Sequence, residues 1–238
     1  MKHACKIVAE ALIQSETKLV AGSTTKDIDE FLRQFIEKEG AKPAFLGLYG
    51  FPATACISLN EEIVHGIPSN RKLVEGDLIS IDCGAIVDGM YSDHARTFLI
   101  GEEKNEEKLN LISVAKKALD IGIENAIPGN KVGMISNSIE NYVLNEGFDV
   151  VREYVGHGIG TKLHEPPSVP NFGDKDKGAL LRVGMAIAIE PMVNQGTWET
   201  KVLEDNWTVV TKDGKLSTHM EDTVLITENG PEVLTRLK

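Results

Sequence analysis

The chain has 238 residues, 42% of them hydrophobic, with three cysteines and a formal net charge of −11. That size and apolar content suffice for one large domain with a substantial core. The acidity argues against broad binding to nucleic acid or anionic membranes, no run is apolar enough to span a bilayer, and three cysteines without a CxxC pair argue against a disulfide framework or zinc ribbon.

Residues 1–10 carry Lys2, Lys6 and Glu10 where a signal peptide would stay apolar, so a cytoplasmic location is expected. Residues 4–20 and 25–39 read as amphipathic helices, the second capped by Ser23-Thr24-Thr25 and closed by Gly40. Residues 41–50 are loop-like, rich in Pro, Gly and aromatics, and β-type residues dominate 54–67 and 78–100. Asp88-Gly89 interrupts the latter run as a hairpin turn, which lets Asp82 and Asp93, 11 residues apart, face each other across two strands. Residues 101–107 form the expected joint between two halves, with Asn105 as N-cap and Glu106 and Glu107 favouring the helix dipole. A long helix then reaches about residue 126, Pro128-Gly129 breaks it, and another helix runs over 132–146. A loop around His157 follows. Strands are expected over 185–193, 199–203, 207–211 and 217–227, giving an α/β order with mostly antiparallel strands.

The two parts of the chain share a spacing. Gly22 to Gly40 and Gly129 to Gly147 each span 18 residues at an offset of 107, and Ile28, Leu32 and Ile36 coincide with Ile135, Ile139 and Val143. Gly76 precedes Asp82 by six residues, as Gly184 precedes Glu190. A period this long marks a two-fold duplication, so one domain over 1–238 is expected, with related halves at about 1–101 and 102–238 and with Asp82 and Glu190 across one cleft.

Each of those acids ends an alternating apolar run, Asp82 after Leu78-Ile79-Ser80-Ile81 and Glu190 after Ala186-Ile187-Ala188-Ile189, so both point inward. Asp93, Glu221 at the head of a strand, and His157 in Gly156-His157-Gly158-Ile159-Gly160 complete the candidate set. Taken singly, an acid at a strand end is more often a cap or a salt-bridge partner. Four carboxylates in one cleft would repel by about 4 kcal/mol per close pair at an effective dielectric near 20, and two divalent cations remove that repulsion. An oxygen-rich set with one imidazole suits Mn, Fe or Co better than a thiolate zinc site would. Two such ions sharing a hydroxide would make a hydrolase. His65 and His164 occupy glycine- and proline-flanked loops, and His164, seven residues after His157, is placed to donate to an oxyanion.

These residues resemble those of the type I methionine aminopeptidases, metallopeptidases of the pita-bread fold, over nearly the whole chain. The similarity is most specific in the Asp82-to-Asp93 spacing, Gly156-His157-Gly158-Ile159-Gly160 with His164-Glu165-Pro166-Pro167, Glu190-Pro191-Met192, and Met220-Glu221-Asp222-Thr223. The resemblance implies two pseudo-symmetric halves, a curved antiparallel sheet and helices on its outer face. It also implies two divalent ions (Co, Mn, Fe or Zn), one chelated by Asp82, the other held by His157 and Glu190, with Asp93 and Glu221 bridging them. Glu190 would shuttle the proton of the bridging hydroxide, His164 would polarise the scissile carbonyl, and His65 would contact the scissile amide. The side chain of an initiator methionine would enter a pocket formed by Phe51, Cys56 and Trp207, closed partly by His65. Phe45 and Leu48 stand where the family commonly has Cys and Tyr, and His219 where it has Gln. The implied partner is the N-terminal methionine of nascent peptides, met in transient contact with the ribosome by a monomer with no nucleic-acid specificity and no membrane. An X-Pro peptidase of the same fold, or a non-catalytic peptide-binding paralogue, are the alternatives.

Overall fold

In the computed structural model, which describes residues 1–101 and 105–237, helices form at Lys2–Ser15 (α1), Thr25–Lys38 (α2), Glu106–Glu124 (α3) and Val132–Asn145 (α4). A reciprocal capping box starts α2: the Thr24 hydroxyl accepts from Asp27 N at 3.1 Å, and the Asp27 carboxylate accepts from Thr24 N at 2.9 Å. At α3 the Asn105 side chain accepts from Lys108 N at 3.1 Å. The rest of the expected joint, residues 102–104, lies outside the described residues.

Strands in chain order are Lys42–Pro43 (β1), Ala55–Leu59 (β2), Glu62–Val64 (β3), Leu78–Val87 (β4), Met90–Leu99 (β5), Asp149–Val150 (β6), Gly156–Gly158 (β7), Glu165–Val169 (β8), Ala186–Ile189 (β9), Met192–Asn194 (β10), Thr200–Val202 (β11), Val209–Thr211 (β12), Ser217–His219 (β13), Glu221–Thr227 (β14) and Gly230–Val233 (β15). The main sheet runs β1-β4-β5-β14-β9-β7-β8, with β2 added to β4 and β15 to β14, and every pairing in it is antiparallel. Asp88 (φ 50°) and Gly89 (φ 75°) turn β4 into β5 with the two left-handed residues that a tight hairpin needs.

Side chains alternate across β4. Ile79, Ile81, Cys83 and Ala85 join Ile7, Leu12, Ile28 and Leu32 in a core beneath α1 and α2, which leaves Ser80, Asp82 and Gly84 on the other face. A second core gathers Leu119 and Ile123 of α3, Ile135 and Ile139 of α4, and Ile187, Ile189, Val224 and Ile226 of the sheet. Helices thus cover one face and free the other for chemistry.

Equivalent hydrogen bonds recur at an offset of 107 or 108 residues. Gly22 N donates to Leu73 O and Leu73 N to Ser23 O; Gly129 N donates to Leu181 O and Leu181 N to Asn130 O. Gly76 and Gly184, 108 residues apart, also make corresponding bonds, Gly76 N to Ile100 O and Gly184 N to Ile226 O, although these two acceptors lie 126 residues apart.

The strands expected over 185–193 and 217–227 each break in two. Pro191 lacks the N–H a ladder needs, and Met220 N donates to Pro191 O at 3.2 Å, so both breaks fall at one level. Before the breaks β9 pairs with β14 in the main sheet; beyond them β10 pairs with β13 in a second sheet. Glu190 and Glu221 therefore sit at the corner between sheets. The expected loop at His157 is instead β7, paired with β8 and β9. A three-residue strand of Gly-His-Gly carries no alternation by which a sequence could announce it.

Candidate active site

The register of β4 and β5 pairs Asp82 with Ala95 and Gly84 with Asp93, so the two acids are diagonal neighbours on one face rather than direct partners. Glu221 of β14 pairs with Ala95 from the other side of β5. His157 approaches from β7, and its flanking glycines are required by space. A Cβ at Gly156 would lie 2.3 Å from Ala188 O, and one at Gly158 would lie 2.2 Å from Pro166 O.

The acids and imidazoles converge. One donor atom from each of Asp93, His157 and Glu221 lies within 4.8 Å of the others. His157 Nε2 is 3.6 Å from Asp93 Oδ2 and 3.6 Å from Glu190 Oε1, and His219 Nε2 stands 3.5 Å from Glu190 Oε2, too poorly aligned to count as a hydrogen bond. Asp82 lies diagonally across the β4–β5 pairing from Asp93, and each carboxyl feels the other. All five expected donors, with His65 and His164, line one cavity of about 340 Å³.

The electrostatics are those of a site built for cations. Burial, with Glu190 adding repulsion, pushes the Asp82 carboxyl up to about 7. Burial and neighbouring carboxylates also drive Asp93 and Glu221 well above the usual range. For Glu190 burial acts in the same direction but is outweighed by His219, His157 and His164, so its carboxyl is held low. Asp82 Oδ1 and Glu221 Oε1 are buried without a hydrogen-bond partner. Buried, unpaired carboxylate oxygens in one cavity cost free energy until a cation satisfies them, so this donor set fits divalent metal.

An apolar pocket adjoins the acids. Phe51 meets Trp207 edge-on at 5.1 Å between ring centroids, and both pack with Phe45, Cys56 and Leu163. Cys56 is paired with Asp82 across β2 and β4, which ties the pocket floor to the acid cluster. Its thiol is pushed up by burial and stays protonated. His65, in the left-handed region at φ 61°, faces Trp207 at 6.5 Å. His164 stands edge-on to His157 at 4.4 Å, and burial together with His157 lowers its pKa, so the ring is neutral. Phe45 and Leu48 line the same cavity. Sequence reasoning missed Tyr154, whose ring meets His65 edge-on at 5.4 Å, and Tyr49, which is 77% exposed and stacks on His164 at 6.1 Å. Neither lies in a periodic segment, so no local signal marked them; the left-handed Tyr49 (φ 52°) is visible only in three dimensions.

A curled antiparallel half-barrel, helices on its outer side and a buried acid and imidazole cluster on the other define a metallopeptidase of the pita-bread fold. Residues 1–228 match the model of Metallopeptidase family M24. The chain is 50% identical over 238 residues to a methionine aminopeptidase of Clostridium perfringens, covering 100% of this chain and 95% of that protein. A crystal structure of methionine aminopeptidase from Thermotoga maritima superposes with a TM-score of 0.97 at 44% identity, covering 100% of this chain and 95% of the other. Prolidase from Pyrococcus furiosus shares the fold at a TM-score of 0.80 and 25% identity, but this chain spans only 63% of it. The chain belongs to metallopeptidase family M24 and, within it, to the methionine aminopeptidases.

Proposed function

We propose that this protein is a type I methionine aminopeptidase that removes the initiator methionine from nascent polypeptides in the cytoplasm, acting as a monomer in transient contact with the ribosome. The observation that carries the reading is the junction of a buried carboxylate and imidazole cluster with an apolar pocket in one cavity of about 340 Å³. Asp82, Asp93, His157, Glu190 and Glu221 would hold two divalent ions, of Co, Mn, Fe or Zn, with Asp93 and Glu221 as bridges. When bound, the ions supply charge neutralisation, carbonyl polarisation and a hydroxide-strength nucleophile at neutral pH.

The residues of the chain do the rest. Phe51, Cys56 and Trp207 bury the thioether side chain, and His65 covers it while contacting the scissile amide. His164, neutral and beside His157, donates an N–H to the carbonyl oxygen as it becomes negative. Glu190, kept ionised by its imidazole neighbours, accepts the proton of the nucleophile and passes it to the departing amine. We read residues 1–238 as one catalytic domain in which halves 1–101 and 102–238 each contribute ligands; the matched hydrogen bonds of Gly22 and Gly129 support that reading.

The shared fold of prolidase makes X-Pro hydrolysis the competing activity. A metal-reconstituted assay separates the two: rapid release of methionine from Met-Ala-Ser, with Leu-Ala-Ser and Ala-Pro peptides left intact, is expected. Cleavage of Ala-Pro with Met-Ala-Ser untouched would assign the X-Pro activity. No turnover with any divalent metal would make the chain a binding paralogue.

A further inference from the structure

Asp93 and Glu221 belong to strands that meet only briefly. β5 and β14 are in register at two positions, Glu221 with Ala95 and Asp222 with His94. Beyond that point the backbone ladder is replaced by a side chain: Thr223 Oγ1 accepts from Asp93 N at 3.2 Å and donates to Asp93 O at 2.8 Å. The next contacts along β5 also come from side chains. Arg96 Nη1 donates to Glu221 O at 2.6 Å, His94 Nδ1 lies 2.8 Å from the same oxygen, and Arg96 Nη2 donates to Asp222 Oδ1 at 2.7 Å.

Asp222 is fully buried, yet its acceptors are well supplied. Thr235 Oγ1 reaches Oδ1 at 2.8 Å, and Arg236 Nε reaches Oδ2 at 2.8 Å while its Nη2 holds Asp120 of α3 at 2.6 Å. Two guanidinium groups around one buried carboxylate form a rigid charge-assisted network. His94 and Arg96 alternate with Asp93 and Ala95 along β5, so this network occupies the opposite side of the strand from the proposed ligands.

From this we infer that Thr223, Arg96 and Asp222 are positioning residues that fix the spacing of Asp93 and Glu221 across the seam between the two parts of the chain. They touch neither substrate nor metal. They substitute for a ladder only two pairs long, so that bridging carboxylates from separate strands are presented at one separation before any cation arrives. The inference rests on the metal-site reading above and assigns those residues a task that reading leaves open.

The test compares Thr223→Val with Thr223→Ser, and Arg96→Gln with Arg96→Lys, in the full chain. Mn(II) alone is titrated by calorimetry into each metal-free protein, thermal melts are taken without metal, and kcat and KM are measured on Met-Ala-Ser. The expected result for Thr223→Val and Arg96→Gln is Mn(II) affinity at least tenfold weaker and a lower kcat with KM within about threefold, with Ser and Lys restoring much of both. Wild-type affinity and kcat in both disruptive variants would overturn the inference, as would losses no greater than the fall in metal-free melting temperature explains. If Arg96→Gln does not fold, Thr223→Val is read alone by the same criteria. A wild-type protein that binds Mn(II) but spares Met-Ala-Ser would refute the proposed substrate, while the Mn(II) comparison would still decide this inference.

Discussion

Metal should stabilise this protein far more at neutral than at acid pH, and Asp82 sets the scale. Its carboxyl ionises near 3.8 in an unfolded chain and near 7 in the folded, metal-free one. Between those values the metal-free fold carries a proton the unfolded chain has lost, so this group makes stability fall as pH rises through the window. Metal binding requires the carboxylate. Asp82 would be about 3% ionised near pH 5.5 and about 75% near pH 7.5, a ratio of roughly 25 in apparent affinity, or about 2 kcal/mol. A domain of this size moves ~2–4 °C per kcal/mol, so saturating Mn(II) should raise the melting temperature by ~4–8 °C more at the higher pH. Asp93, raised by burial and by Asp82, and Glu221, raised by burial and by Asp93, act in the same direction. His94, held down to about 3 by burial and Arg96, destabilises the fold as pH falls below 6.5, but it does so with or without metal and cancels in the difference. Differential scanning calorimetry of metal-free and Mn(II)-loaded protein reads the shift directly. An equal shift at both pH values, or a larger one at the lower, would refute the electrostatic argument.

Asp93→Ala or Glu221→Ala should bring Met-Ala-Ser turnover to background together with loss of bound metal by elemental analysis, because each removes a carboxylate proposed to bridge two ions; near-normal rates in either would refute the ligand assignment. His164→Ala should lower kcat on the order of 10²-fold with metal content unchanged, the expected cost of one oxyanion donor, and unaltered kcat would remove that role. Trp207→Ala should raise KM for methionyl peptides by roughly tenfold or more, since fully burying a methionine side chain contributes ~1.5–3 kcal/mol; a KM that stays put would move the thioether elsewhere. In Gly158→Ala the new Cβ would sit 2.2 Å from Pro166 O, so melting temperature and metal affinity should both fall, and a variant unaffected in both would contradict the tight β7–β8 approach.

What the sequence made legible follows from what is local. The helices, the Asp88-Gly89 hairpin and the acids at the ends of alternating runs are all encoded within a few residues and formed close to where expected, except that α1, expected to reach residue 20, ends at Ser15 and gives way to a 3-10 turn over Glu16–Lys18. The brevity of the β5–β14 seam was invisible because register between Asp93 and Glu221 depends on how distant strands meet. The same holds for His157: its glycines suggested a loop, but their use is close passage beside the backbone at Ala188 and Pro166. Tyr49 and Tyr154 joined the cavity only through tertiary folding. The chemical types of the proposed ligands are local to the chain, while their spacing required the fold.

The most direct test is an anomalous-scattering map from crystals grown with excess Mn(II). Two strong peaks among the carboxylates of Asp82, Asp93, Glu190 and Glu221 and the imidazole of His157 are expected. Absence of any peak there, with Mn(II) bound only elsewhere, would contradict the account.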